Sequence, residues 1–185
     1  MHISTPIKPG LAVALVATFV ACLVLAGGAR AAGGGNAVNA KLCQKGNWSK
    51  LMDSSAHQFA NEDACVSYAA HDGTIYAVAK LNVVACDNQP YDGICVNTSG
   101  SGLAPGSVVT TALSKNGSEI SWDFPIVQGD GTVGPSPFGH FELPCVAGNA
   151  YSASATGTSA DSLTSPSAPG VPITSSTVER TSACP

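Results

Sequence analysis

The sequence predicts a mainly β protein, a two-sheet sandwich preceded by a small α-containing unit bracketed by cysteines. Three observations carry that expectation. Beyond residue 80 the chain breaks into short runs rich in Val, Ile, Thr and aromatics, separated by Gly, Pro, Asn and Asp. Seven or so such runs in about 105 residues point to a sandwich. Six cysteines follow the apolar N-terminal stretch, an even number in a small mature chain, which reads as three disulfides.

The first residues set the compartment. Lys8 precedes an apolar run from Leu11 to Ala26, and small residues follow up to Ala29, Arg30 and Ala31. That is the pattern of a secretory signal over residues 1–31, cleaved after Ala31. Two rival readings stand beside it. The apolar run approaches the ~20 residues of a membrane span, and Cys22, with Phe19, Val20 and Ala21 before it, is a candidate lipidated cysteine. The membrane is a partner only in those two cases, and the expected location is otherwise secreted or cell-wall associated.

Removing Lys8 and Arg30 leaves six basic residues against twelve acidic ones, a formal charge of −6 on the mature chain. The remaining cations, Lys41, Lys45, Lys50, Lys80, Lys115 and Arg180, are scattered. A nucleic-acid partner requires a clustered basic face, so that class is excluded. Charged side chains are sparse while Ser, Thr, Gly and Ala abound, a composition suited to an exported β protein.

The elements then follow in order. Residues 32–41 hold three consecutive glycines and one bulky apolar residue, Val38, which predicts a flexible leader. Residues 42–79 form the small unit. Asn61 is placed to cap a helix, Glu62 and Asp63 sit where the positive helix end favours carboxylates, and Gly73 is placed to end it. Cys65 and Ala69 share one helix face. From 80 to 185, strands are expected near 81–86, 94–98, 107–113, 119–124, 132–133, 140–143, 150–156 and 171–178. Asn116-Gly117 predicts a type I′ hairpin, and Asp130-Gly131 is a second candidate. The polar, Pro-rich stretch 157–170 predicts a mobile loop.

Two stretches carry a resemblance. Residues 99–109 (SGSGLAPGSVV), the Asp130-Gly131-Thr132 turn and Leu143-Pro144-Cys145 resemble segments of immunoglobulin-like sandwich domains of secreted actinobacterial proteins. The resemblance covers roughly residues 81–185 and implies an immunoglobulin-like β-sandwich used for adhesion, ligand display or spacing rather than catalysis. Upstream, Cys43-x4-Trp48 followed by Phe59-x-Asn61-x3-Cys65-Val66-Ser67-Tyr68 is similar to a cysteine-bracketed motif of exported bacterial proteins, with no activity attached.

Six cysteines allow fifteen pairings. Proximity orders them: Cys43 with Cys65 closes the small unit, Cys86 with Cys95 clamps the loop DNQPYDGI, and Cys145 with Cys184 ties down the carboxyl end. A zinc site is disfavoured, since the chain has no Cys-x2-Cys pair and no finger-like histidine spacing.

Candidate chemistry is thin. The mature histidines are His57, His71 and His140. There is no Gly-x-Ser-x-Gly elbow, no His-Glu-x-x-His and no phosphate loop, so no catalytic residue, metal or cofactor is assigned. Candidate binding residues are Tyr91, Asp87 and Asp92 in the clamped loop, where Asp87, Asp92 and neighbouring carbonyls also suit calcium. Trp48 and Trp122 are expected in the core, with stacking on sugar rings as the alternative. The expected role is a non-enzymatic binding or structural module whose partner is an extracellular protein, a glycan or a small ligand. The rivals are a secreted hydrolase using a histidine and a carboxylate, and a small-ligand carrier with a cleft between its sheets.

Overall fold

A computed structural model describes residues 36–86 and 92–184. The expected signal segment with Cys22, the glycine-rich part of the leader up to Gly35, and the candidate residues Asp87 and Tyr91 lie outside the described residues.

Helix α1 spans Asn36–Leu42 and α2 spans Glu62–Ala70, with a short 3-10 turn at Asn47–Lys50 between them. The expectation of a structureless leader therefore gives way to a helix over its last residues. The reason is tertiary: α1 leads into the Cys43–Cys65 bridge, and Ala40 and Leu42 pack on a cluster formed by Cys43, Leu51, Phe59, Cys65, Ala69 and Ile75. Asn61 caps α2 as expected, accepting a hydrogen bond from the Ala64 amide at 2.8 Å. The helix ends differently. Asp72, not Gly73, takes the left-handed conformation (φ 60°). Gly73 is required for space, since a Cβ there would lie 2.3 Å from the Tyr68 ring.

Strands β1 (Leu51–Met52) and β2 (Tyr76–Ala77) pair antiparallel. Alternation along them divides their side chains: Leu51 joins the helical cluster, while Met52 and Tyr76 join the main core. This small ladder sits between two apolar clusters.

The main body is two antiparallel sheets. β3 (Lys80–Ala85), β4 (Asp92–Ser101) and β7 (Val133–Glu142) form the first, in the order β3-β4-β7. The second runs β10-β8-β5-β6, with β5 at Thr110–Lys115, β6 at Ser118–Asp123, β8 at Ala150–Thr158 and β10 at Val178–Thr181; β9 (Pro172–Thr174) also pairs with β8. Both sheets feed one core, with Leu81, Val83, Ile94 and Val96 on one side and Leu113, Tyr151, Ala153 and Ala155 on the other. At its centre Thr98 of β4 and Thr111 of β5, both fully buried, join their hydroxyls at 2.8 Å. One hydroxyl donates and the other accepts, so both buried oxygens take part in a hydrogen bond where no water reaches.

Several boundaries depart from the expected ones. The runs at 132–133 and 140–143 are one ten-residue strand, β7. Pro135 and Pro137 suggest a break, yet β7 is an edge strand, where a missing N–H is tolerated. The expected strand at 171–178 is two, because at Ser175 the side chain takes over from the main chain: its amide still donates to Ala155 O of β8, but the Ala155 amide donates to the Ser175 hydroxyl rather than to its carbonyl. The hairpin at Asn116-Gly117 forms as expected, with both φ angles positive (50° and 80°). Asp130-Gly131 does not form the same turn, since only Gly131 is left-handed and the pair lies on the crossover from one sheet to the other. There the Asp130 carboxylate accepts from the Thr132 amide and hydroxyl.

The Pro-rich stretch expected to be a mobile loop is anchored. Leu163 N donates to Ile75 O at 2.8 Å, the Ser162 hydroxyl donates to the same carbonyl, and Ile75 N donates to Thr164 Oγ1. Polar composition signals a loop but not its partners.

Trp122 is a further correction. It stands on the outward face of β6, half exposed, whereas Trp48 packs against the helical cluster.

Candidate functional site

Asp92 opens β4 and is buried. Its carboxylate is a meeting point for four segments of chain. Oδ1 accepts from Tyr151 Oη at 2.7 Å and from Ser182 Oγ at 2.8 Å; Oδ2 accepts from Asn149 Nδ2 at 2.9 Å and from the Val146 amide at 3.2 Å. These donors come from β8, from the loop before it, and from the tail after β10. Burial pushes the carboxyl up, but the hydrogen bonds from Tyr151, Ser182, Asn149 and Val146 together outweigh it and bring it down from 3.8 to about 2. The partner moves the other way: burial and the hydrogen bond to Asp92 raise the Tyr151 hydroxyl to about 12.

The backbone allows this approach through Gly93, whose φ is 147° and whose Cβ, were there one, would lie 2.1 Å from His140 O. Beside the carboxylate, Lys115 Nζ pairs with Glu142, and it stands 5.8 Å from the centre of the Tyr151 ring. The hydrogen bond to Glu142 holds the ammonium above its usual range, and Lys115 and then His140 hold Glu142 below its own. His140 Nε2 lies 3.1 Å from Glu142 Oε1.

Two of the three disulfides flank this carboxylate. Cys86–Cys95 joins the end of β3 to β4, and Cys145–Cys184 ties the loop after β7 to the carboxyl tail; the third is Cys43–Cys65. All three match the pairing that proximity favours. The loop between β7 and β8 is thus held by a bridge, by the Val146 amide and by the Asn149 side chain. On it stands Leu143, 94 % exposed, with Phe141 and Val146 also exposed. A segment tethered by a bridge and by two donors to Asp92 displays Leu143 and Val146 to solvent, with Phe141 exposed at the end of β7 beside it.

Of the candidate residues read from the sequence, Asp92 turns inward and spends both oxygens on the chain itself, while Asp87 and Tyr91 lie outside the described residues. The histidines do not converge. His57 stands on an exposed turn 3.8 Å from Asp53, His71 bonds Ser67 O at the end of α2, and His140 faces Glu142. Among the described residues no three His, Cys, Asp or Glu side chains assemble into a metal set. A groove of about 320 Å³ runs along β8 and β10 beside Gly117, with Glu179 and Arg180 on its wall; between the sheets lie the packed core residues.

Phe141, Leu143 and Val146 were not among the candidates. The local signal is that Leu143 precedes a Pro-Cys pair just past the end of β7, where the chain leaves the sheet.

No family model matches the chain, and neither a curated protein nor a solved structure matches it. Among the described residues no helix is long and apolar enough to cross a membrane.

Proposed function

We propose that this chain is a secreted or cell-wall-associated, non-enzymatic binding module. Its body is an immunoglobulin-like sandwich carrying a small disulfide-bracketed α unit. The supporting topology is a three-stranded sheet and a longer one around a single core, antiparallel throughout. Three disulfides suit an oxidising compartment.

One observation carries the binding reading. The end of the body at β4, β7 and β8 is stiffened by two bridges and by the four-donor carboxylate of Asp92, and it presents Leu143, Phe141 and Val146 outward. Apolar side chains held on a rigid support lose little conformational entropy on contact with a partner, which favours affinity. The separated histidines, each engaged with its own neighbour, support the non-enzymatic side of the reading.

Expression of the full chain in its producing cells, followed by fractionation and intact-mass analysis, tests it. Expected are a mature chain starting at Ala32, a gain of six hydrogens on reduction, and envelope retention that Leu143→Ser with Val146→Ser lowers. A reduced cytosolic chain, or retention indifferent to the double substitution, overturns it.

A further inference from the structure

The outward face of the five-stranded sheet carries a second surface, built independently of the loop end. Antiparallel register places Ala112 opposite Trp122 and Thr111 opposite Asp123, and continues to a bridge between Val108 and Ile126. Thr111 is buried, so the alternate residues Val108, Thr110 and Ala112 face outward, with Trp122, Phe124 and Ile126 beside them. Val108, Trp122, Phe124 and Ile126 are 48, 51, 58 and 67 % exposed. Successive side chains on one face of an extended chain stand roughly 7 Å apart, so Trp122 at the end of β6 and Phe124 and Ile126 on the extended segment that follows it, held to β5 by the Val109 N to Pro125 O bond and the Val108–Ile126 bridge, form a row. The indole N–H of Trp122 donates to Glu119, which anchors a ring that stays half exposed.

Next to the row the sheet is neutral and hydroxylated. Thr110 pairs with Thr156 and Thr156 with Thr174, and Ser154 lies opposite Ala112, all on the same face. Glu119 stands at the end of the row and Glu179 lies across the sheet, opposite Ser152; both are anions.

Two physical arguments choose the occupant. The first is area. Four side chains half to two-thirds exposed present on the order of 400 Å² of apolar surface, about half of the ~800 Å² per partner that a stable protein interface takes. The strip is too slim for a second copy of this chain and wide enough for a single extended polymer. The second is charge. Among the described residues, register places two anions on this face, Glu119 opposite Ser114 and Glu179 opposite Ser152, whereas Lys115 and Arg180 pair with the inward Tyr151. An anionic polymer would meet repulsion, and a nucleic-acid strand needs a basic track beside its stacking rings. A neutral sugar chain needs neither: the C–H faces of its pyranose rings suit flat aromatic surface, and its hydroxyls find the Thr110, Thr156 and Thr174 hydroxyls alongside. From this juxtaposition we infer that the Trp122–Phe124–Ile126 row, flanked by the threonine ladder, is a binding site for a neutral polysaccharide.

Affinity gel electrophoresis of the folded, oxidised protein through hydroxyethylcellulose, laminarin and galactomannan tests the inference, with alginate as the anionic comparison. Expected are retardation by at least one neutral polymer and none by alginate. Trp122→Ala and Phe124→Ala each weaken it about tenfold or more, whereas Val84→Ser, an exposed valine of the other sheet, leaves it unchanged. Both aromatic positions are exposed, so the variants keep the fold, which a thermal melt checks. In Trp48→Phe protein, where Trp122 is the remaining indole, the same polymer shifts the emission. Silence of all three neutral polymers overturns the proposal, as does equal retardation by alginate. A concentration-dependent dimer abolished by Trp122→Ala also overturns it and assigns the strip to a second copy. None of these readouts passes through Leu143, so the site stands or falls apart from the loop end.

Discussion

Tyr151 of β8 donates its hydroxyl to Asp92 of β4 at 2.7 Å, and through that bond the two sheets meet at a buried carboxylate. An acid in such a place is held by its donors. Ser182, Asn149 and the Val146 amide complete the set, so the bond sits within a network whose members depend on one another.

Stability follows the charge on Asp92. Its folded value, about 2, lies below the ordinary 3.8, so ionisation favours the folded chain. That contribution is complete above pH 4 and is lost as the pH falls from 4 through 2. Tyr151 works at the other limit: raised from 10.0 to about 12, it contributes below pH 10 and ceases to as the pH climbs through 12. Denaturant melts against pH should show a plateau between these windows. Tyr151→Phe should lower stability by about 1 kcal/mol on the plateau and move the acid transition to higher pH, because one donor to Asp92 is gone. Asp92→Asn should flatten the acid window and destabilise throughout, since its amide turns a donor toward donors.

Thr98 and Thr111 predict non-additivity. Thr98→Val alone leaves the Thr111 hydroxyl buried without its partner and should cost about 1–3 kcal/mol, while the double valine variant removes both polar groups at constant shape and should lie within about 1 kcal/mol of the parent. Urea melts of the two single variants and the double one close the cycle.

Two glycines should respond differently to alanine. At Gly93 a Cβ would collide with the His140 carbonyl at a φ of 147°, so Gly93→Ala should cost more than about 2 kcal/mol and loosen the β4 and β7 pairing. Gly117 faces open space at φ 80°, so Gly117→Ala should cost about 1 kcal/mol, the penalty of left-handed backbone alone. Thermal melts and amide exchange at Ile94 and Phe141 separate the two.

The Cys43–Cys65 bridge spans 22 residues of sequence. Replacing both cysteines by serine should remove roughly 3 kcal/mol, chiefly by freeing the unfolded chain. Amide protection should fall first over α2, whose buried face rests on that bridge and on Phe59 and Ile75.

Much of the scaffold was legible locally. Asn116-Gly117 named its own turn because few dipeptides accept two positive φ angles, and Asn61 with Glu62 and Asp63 named a helix start through capping chemistry. Sequence proximity led to the three bridges. Trp122, expected in the core, faces solvent with Phe124, while Ile120, two residues before it on β6, packs against the core, because the β5–β6 register shifts between Leu113 and Ser114. Asp92 looked like a loop residue beside Tyr91. Its donors lie more than fifty residues downstream, at positions 146, 149, 151 and 182, and no local pattern couples an aspartate to partners that distant.

By itself the sequence determined the mainly β character, the tight hairpin and the helix cap, all consequences of short-range sterics; proximity ordered the sulfur pairings, and the folded chain selected one. Tertiary structure alone decided that Asp92 points inward, that the Pro-rich stretch is pinned at Ile75, that Trp122 and Phe124 face solvent, and that Leu143 stands on a rigid loop. Those outcomes depend on which surfaces the two sheets cover when they close on one core, a property of the assembled chain rather than of any segment within it.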